Sequence, residues 1–291
     1  MTRDGCDLGN VLTGMNDTQD AMPHMRELRG MFLANTTNSH GKLEEHLYVV
    51  AAHKGSSKLM EYGECESNLG GQRPFIQEVF KEHGKHNSLF MHPYAITMGP
   101  YGHFFISVQD TSTILRYNID GTPTDPPKAV LESATEHDEK YYDGTFVQLK
   151  HWEEVRGITF DEQGTLYVAV KEEGVMMFDL DGYLINILKI HRPIGLAYDK
   201  HTGMLYAGSN GKKDSMIYEY DVANGELRRT IGQKVKELNH PAGLVTFKDS
   251  LYVISQNVDS ILVFNLITGK YKRTIYHGFP SNGEQLILSS C

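Results

Sequence analysis

The sequence predicts an all-β fold, a β-propeller made of four-stranded antiparallel blades. The first observation behind this prediction is an internal repeat of about forty residues, clearest in residues 191–231 and 239–275. Each copy contains four short strand signals, and such a period is typical of radial β architectures. The second observation is that most of the 16 Tyr and 12 Phe residues fall in alternating runs, as in pleated, half-buried strands.

The four strands of each copy, named A to D in chain order, follow one pattern. Strand A is a short apolar piece such as 195–198, strand B carries an aromatic residue as in 166–170, and strand C is a longer apolar run such as 261–266. Strand D follows a glycine turn, for example Asn224-Gly225, which supplies the positive φ of a tight hairpin. The aligned copies start near Gly30, Ala95, Gly157, Gly195 and Gly243.

The two ends of the chain leave the number of blades open. Residues 283–288 look like another strand A, so the sequence predicts five recognisable repeats plus a partial sixth. The propeller domain is assigned to residues 27–291, and residues 1–26 to an N-terminal extension with a weak strand candidate at Val11-Leu12. Either the sixth blade is incomplete, or the last strand closes the ring by pairing with this extension, or the chain is part of a longer product.

Composition excludes some classes of partner. The formal net charge of −9 argues against nucleic acid, because phosphate binding needs a face rich in Lys and Arg. No apolar run reaches the length of a membrane span, and residues 1–25 lack the apolar stretch of a signal peptide. The three cysteines, Cys6, Cys65 and Cys291, show neither metal-site spacing nor a disulfide framework. A reducing, cytoplasmic location is therefore the default expectation.

The repeat itself resembles those of known propellers. Pro-x-Gly followed by an apolar strand, then Leu-Tyr-Val-Ala, a polar loop and Ile-x-x-(Tyr/Phe)-Asp, resembles NHL-repeat propellers and the wider six-bladed group with gluconolactonase-like and strictosidine-synthase-like members. The resemblance covers roughly residues 27–288. It implies the architecture but not the activity, because that group includes interaction modules as well as metal-dependent lactonases and lyases.

Chain direction places one set of polar residues on a single face. The D–A and B–C connections emerge together, and the resemblance implies that ligands bind on that face, over the mouth of the central channel. The predicted binding face comprises His53, Gln109, Asp110, Lys171, Asn210, Gln256, Asn257 and Trp152. Trp152 either lines the mouth or packs between two blades. Arg29, Arg156 and Glu284, next to strand A, are the candidate catalytic residues.

Two metal sites are conceivable on this face. His92, His191 and His240 precede strand A in three copies and are candidate zinc ligands, although His191 is one residue further from its proline. Their arrangement is similar to that of amidating lyases. Glu284, Asn210, Asn257 and Asp110 have the oxygen ligands that calcium prefers. Calcium lactonases of the resembled group open with Glu-Gly-Pro, whereas this chain has Arg29-Gly30. Zinc or calcium thus stays an open expectation, and the cofactor is unknown.

Two functions from different classes follow. The first is a non-catalytic, NHL-like propeller that binds a protein or peptide partner, favoured by the absence of a repeated acidic ligand set and by variable, charge-rich loops. The alternative is a metal-dependent lyase or hydrolase that acts on a small molecule at the channel mouth, favoured by the clustering of His, Arg and amide side chains. The long insertion at 121–154 is interpreted as loosely ordered surface rather than as a functional loop.

Overall fold

The structure, a computed structural model, describes residues 28–37, 41–52, 57–65, 73–81, 89–133, 144–150, 153–211, 215–278 and 283–289. In this part of the chain the strands form five four-stranded antiparallel sheets. Each sheet uses four consecutive strands in sequence order, which confirms the predicted blade pattern. Every blade therefore comes from a contiguous stretch of chain, and neighbouring blades meet face to face around a common centre.

The twenty strands of the described residues run from A to D within each blade. They are β1 (Leu28–Thr37), β2 (Leu43–Ala51), β3 (Lys58–Tyr62) and β4 (Phe75–Lys81) in blade one; β5 (Pro93–Met98), β6 (Phe104–Val108), β7 (Thr113–Tyr117) and β8 (Thr145–Gln148) in blade two; β9 (Val155–Phe160), β10 (Leu166–Val170), β11 (Gly174–Phe178) and β12 (Leu184–Leu188) in blade three; β13 (Pro193–Asp199), β14 (Met204–Asn210), β15 (Ser215–Asp221) and β16 (Glu226–Ile231) in blade four; and β17 (Pro241–Phe247), β18 (Ser250–Ser255), β19 (Ser260–Asn265) and β20 (Tyr271–His277) in blade five. A short helix, α1 (Lys128–Ser133), lies between β7 and β8.

The inner strands approach one another closely, which explains the glycine at the start of most repeats. A Cβ added at Gly195 would lie 1.8 Å from the carbonyl oxygen of Ala242 in the next blade, and one at Gly157 would lie 2.5 Å from that of Ile194. Any side chain there would push two blades apart. In all five blades the A–B register shifts at this same point. A bulge of this kind re-aims the neighbouring side chains, here at the start of strand A.

A C-terminal segment joins the first and last blades. Residues 283–289 have no assigned strand, yet a Cβ at Gly243 would lie 2.8 Å from the Cα of Gln285. The Gln285 amide accepts from the backbone N–H of Met31 at 3.0 Å and donates to its carbonyl at 3.1 Å. Leu286 packs on blade five and Ile287 on blade one. This segment therefore closes the inner ring between β17 and β1.

The five predicted repeats form five blades, whereas the six blades that the resemblance implies are not seen in the described part of the chain. The described residues form five blades and no sixth sheet, because only one segment, residues 283–289, lies in the gap between blades one and five. The N-terminal extension and its strand candidate at Val11-Leu12 lie outside the described residues, so the partial sixth blade stays a prediction.

The core consists of layers between adjacent blades. Phe104 of blade two and Tyr48 of blade one are fully buried with ring centroids 4.6 Å apart. Farther round the ring, Tyr206 and Phe264 are buried between blades four and five. Tyr167, Phe178 and Tyr220 are also buried, whereas Tyr252 is only partly buried. Strand-B and strand-C aromatics therefore supply most of the contact between blades.

The structure also bears on the cysteines and on membrane-spanning helices. Cys65 is disulfide-bonded, although the spacing of the three cysteines indicated no disulfide framework. No helix among the described residues is long and apolar enough to cross a membrane.

Candidate functional site at the channel mouth

The second residue of strand A lies at the register shift between strands A and B in every blade. This position holds Arg29, Tyr94, Arg156, Ile194 and Ala242 in blades one to five. Glu284 precedes Gln285, which faces Gly243, so it occupies the same level of the ring. Tyr94, Ile194 and Ala242 belong to one buried cluster although they come from three different blades. The channel thus has an apolar side and a charged side.

A chain of hydrogen bonds crosses the charged side. Asp110 accepts from Nδ1 of His92 at 3.2 Å, and Nε2 of His92 accepts from Arg29 at 3.1 Å. Arg29 also pairs with Glu284, and Glu284 accepts from the amide of Gln256 at 3.1 Å. Because a guanidinium can only donate, the proton of the His92 ring is assigned to Nδ1. The chain links blades two, one and five through the C-terminal segment.

The residue just before strand A has an unusual backbone in three blades. His92, Arg192 and His240 have φ values of 60°, 47° and 59°. Each precedes a proline, a position that normally favours extended backbone. Left-handed backbone on a non-glycine residue stores strain that the surroundings must hold. Arg192, rather than the exposed His191, therefore shares the position of His92 and His240.

His240 is held as a neutral imidazole. Its Nδ1 accepts from the Asn210 amide at 2.9 Å. Burial, with the nearby positive charge of Arg156, lowers the pKa of His240 from its ordinary value of 6.5 to about 4. The ring is thus uncharged at neutral pH, with its remaining proton on Nε2.

Arg156 belongs to a second group of charges. It donates to Glu154 at 2.8 Å, and Lys171 bonds the other oxygen of the same carboxylate. Burial works against ionisation of Glu154, but these hydrogen bonds dominate and lower its pKa. Tyr94, beside this group, has a raised pKa because it is buried and faces Glu284. The mouth therefore presents guanidinium donors next to carboxylate acceptors.

The structure brings together only part of the predicted site. Arg29, His92, Asp110, Gln256 and Glu284 form the chain described above. Asn257 bonds Asn239 at 3.0 Å, and the backbone N–H of Gln109 bonds the carbonyl of His92 at 3.1 Å. His53 and Trp152 lie outside the described residues.

The described residues contain no group of three or more His, Cys, Asp or Glu side chains that could hold a metal ion. His92, His191 and His240 in particular do not converge, because His191 is out of register and the other two bond different blades. The proposed calcium ligands likewise bond separate partners, Asp110 with His92 and Asn210 with His240.

Sequence reasoning missed Tyr94, Glu154 and Arg192. All three lie at repeat positions that already held candidates: Tyr94 aligns with Arg29 and Arg156, whereas Glu154 and Arg192 align with His92 and His240. Strict use of the repeat register would have found them.

The fold defines the class of the protein, a β-propeller. No protein-family model and no curated protein matches the sequence. Among solved structures, the chain is similar to one in a nidogen/laminin complex, with TM-score 0.61 and 15% identity over 86% of this chain and 80% of that chain. It is also similar to virginiamycin B lyase from Staphylococcus aureus, with TM-score 0.57 and 12% identity over 90% and 74%. A periplasmic gluconolactonase from Pseudomonas aeruginosa gives 0.53 and 16% over 86% and 70%. These likenesses show the propeller fold, shared by binding proteins and enzymes alike.

Proposed function

We propose that the protein is a non-catalytic propeller that binds a protein or peptide on the face around the channel mouth. The supporting observation is that the polar side chains there hydrogen-bond one another. The lone pair of His92 accepts from Arg29, and that of His240 accepts from Asn210. An imidazole whose lone pair is engaged in this way is poorly placed to take a proton from a substrate. The arrangement favours recognition over catalysis.

The chemistry of the mouth favours a peptide with a carboxylate. Glu284 Oε2 is buried and has no hydrogen-bond partner, so one acceptor at the mouth is left unfilled by the protein. Arg156 lies on the same level of the ring and offers donors to a carboxylate. An extended peptide that ends in, or carries, an acidic group supplies both.

Peptide display tests this proposal. Immobilised protein is expected to select peptides with an acidic residue or a free C-terminus, and Arg156→Gln should weaken their binding at least tenfold. Lys200→Gln, an exposed substitution in an A–B turn on the opposite face, is the matched control and should leave binding unchanged. Peptides that bind wild type and Arg156→Gln equally would place the binding surface elsewhere.

The metal-dependent lyase or hydrolase is the second hypothesis, and the His92–Asp110 pair is its best support, since a carboxylate commonly orients a functional histidine. Elemental analysis separates the two hypotheses. One equivalent of zinc or calcium in purified protein, lost in His92→Ala, would favour the enzyme.

We also propose a six-fold plan for the propeller and an oxidising location for the protein. Residues 283–289 take the place of an innermost sixth strand, which supports an NHL-like six-fold plan. The disulfide at Cys65 favours an oxidising compartment over the cytoplasmic default. Thiol titration of denatured protein checks this: one free thiol is expected before reduction and three after, from the three cysteines.

A further inference from the structure

A cavity of about 620 Å³ lies between blades two and three, away from the channel mouth. Residues 145–150, which comprise β8 and the two residues after it, form one wall. The opposite wall comes from β11 and β12, and α1 covers the cavity with Ala129 and Val130. This volume is in the range of small-molecule sites. The insertion at 121–154, which the sequence predicts to be loosely ordered surface, therefore supplies part of a pocket.

Most of the lining is apolar. Phe146 and Phe178 are buried, and Met176 and Leu184 continue the same surface. At roughly 3.3 Å per residue, the wall from Thr145 to Leu149 is about 13 Å long. An elongated hydrocarbon chain fits this shape better than a compact ring system.

Two buried polar atoms in the lining have no hydrogen-bond partner. They are Oγ1 of Thr145, a residue that is 1% exposed, and Oε2 of Glu153. Leaving such an atom unsatisfied costs about 1–3 kcal/mol, so each points to a group that the protein does not supply. Thr145 begins β8 at the C–D end of the blade, whereas Glu153 precedes β9 at the D–A end. The unsatisfied atoms therefore mark opposite ends of the cavity.

The charges of the lining favour a cation. Glu153 and Glu173 contribute two carboxylates and Lys150 one ammonium group. A carboxylate oxygen only accepts hydrogen bonds, so the group at the Glu153 end must be a donor. The hydroxyl of Thr145 can donate or accept at the other end.

We propose that this cavity binds an amphiphilic amine. Its ammonium group bonds Glu153, its hydrocarbon chain lies along Phe146, Met176 and Phe178, and a terminal hydroxyl bonds Thr145. None of the cavity residues belongs to the hydrogen-bond chain of the channel mouth. This site is thus independent of the proposed peptide-binding function.

Calorimetric titration with four probes tests the proposal: aminooctanol, octylamine, octanol and octanoate. Aminooctanol is expected to bind most tightly, with octylamine weaker, and octanol and octanoate at least tenfold weaker. Glu153→Gln should weaken aminooctanol at least tenfold and leave octanol unchanged. Thr145→Val should reduce aminooctanol to the affinity of octylamine without affecting octylamine itself.

A control and a contrary outcome complete the design. Lys200→Gln, far from the cavity, should bind all four probes like wild type, and circular dichroism should show each variant folded. Octanoate binding as tightly as octylamine, no amine binding at millimolar concentration, or an unchanged aminooctanol affinity in Glu153→Gln would overturn the proposal.

Discussion

At the scale of single residues, one repeat position serves different purposes in different blades. His92 and His240 share the same left-handed backbone and precede a proline. His92 is part of a hydrogen-bond chain with Arg29 and Asp110, whereas His240 is largely buried beside Arg156. The repeat position determines the backbone conformation of both histidines. The residues of the neighbouring blade determine the hydrogen bonds and the burial of each imidazole.

The depressed pKa of His240 predicts a pH-dependent stability. Above pH 6.5 neither the folded nor the unfolded state protonates the ring, so its contribution is complete. Between pH 6.5 and about 4 the unfolded state takes up a proton that the folded state does not. The free energy of unfolding therefore decreases as the pH is lowered through this range. After discounting for partial exposure, we expect a loss of roughly 1–2 kcal/mol.

Urea unfolding at pH 7 and pH 4.5 measures this loss by comparison with His240→Asn, because asparagine tolerates the left-handed backbone. The variant should lose less stability than wild type between these pH values. Equal losses in the two proteins would contradict the depressed pKa.

Tyr206 and Tyr252 form a matched pair for testing burial. Each is the third residue of its strand B, β14 or β18, but Tyr206 is 1% exposed whereas Tyr252 is only partly buried. We expect Tyr206→Ala to lower the free energy of unfolding by about 3–5 kcal/mol, and Tyr252→Ala to cost clearly less. Chemical denaturation measures both variants. Similar losses would mean that the two blade interfaces are packed equally well.

The repeat register made much of the residue-level site predictable. Gly157, Gly195 and Gly243 were aligned correctly because glycine is required wherever inner strands nearly touch. The same register placed Arg29 and Arg156 at equivalent positions of strand A. The pairing of His92 with Arg29 was not predictable, because it depends on how two blades are rotated against each other. That rotation is set by packing between residues far apart in sequence.

At the scale of elements, polar contacts between blades add to the apolar layers. Glu219 in β15 is 1% exposed and pairs with Arg229 of β16 across the sheet at 2.5 Å. Arg229 also bonds the carbonyl oxygens of Leu266 and Ile267 in the β19–β20 turn of blade five. One guanidinium therefore neutralises a buried carboxylate and fixes a neighbouring blade.

Arg229→Gln should be strongly destabilising, because it leaves the buried Glu219 carboxylate without its closest partner. Loss of one partner of a buried pair typically costs about 3–5 kcal/mol. The adjacent Arg228 is 57% exposed and lies 3.7 Å from the same carboxylate, so Arg228→Gln should cost less than about 1 kcal/mol. Denaturant unfolding of both variants measures the difference. Equal losses of stability in the two variants would show that Arg228 and Arg229 contribute equally to holding the Glu219 carboxylate.

The elements also show where sequence patterns stop being informative. Blade strands were predicted because their alternation is local. The helix α1 and the cavity beneath it were not, because the cavity depends on side chains from blades two and three together. The Pro-rich insertion signalled irregular backbone but gave no information about what it covers.

At the scale of the whole molecule, ring closure depends on a few residues. Blades one and five are separate sheets with no strand pairing between them, and residues 283–289 lie between their inner strands. Glu284 pairs with Arg29, Gln285 bonds both backbone groups of Met31, and Leu286 packs on blade five. Among the described residues, the link between blades one and five therefore depends on one short segment.

Replacing Glu284, Gln285 and Leu286 together by alanine should open the ring. Arg29 loses its carboxylate, Met31 loses two hydrogen bonds, and a buried leucine is truncated, so we expect a loss of at least about 3 kcal/mol. Hydrogen exchange should rise selectively in β1 and β17, whose inner edges become exposed. Leu288→Ala, at a half-buried position in the same segment, is the control and should leave both strands protected. Unchanged exchange in β1 and β17 of the triple variant would show that packing among the five blades alone holds the ring closed.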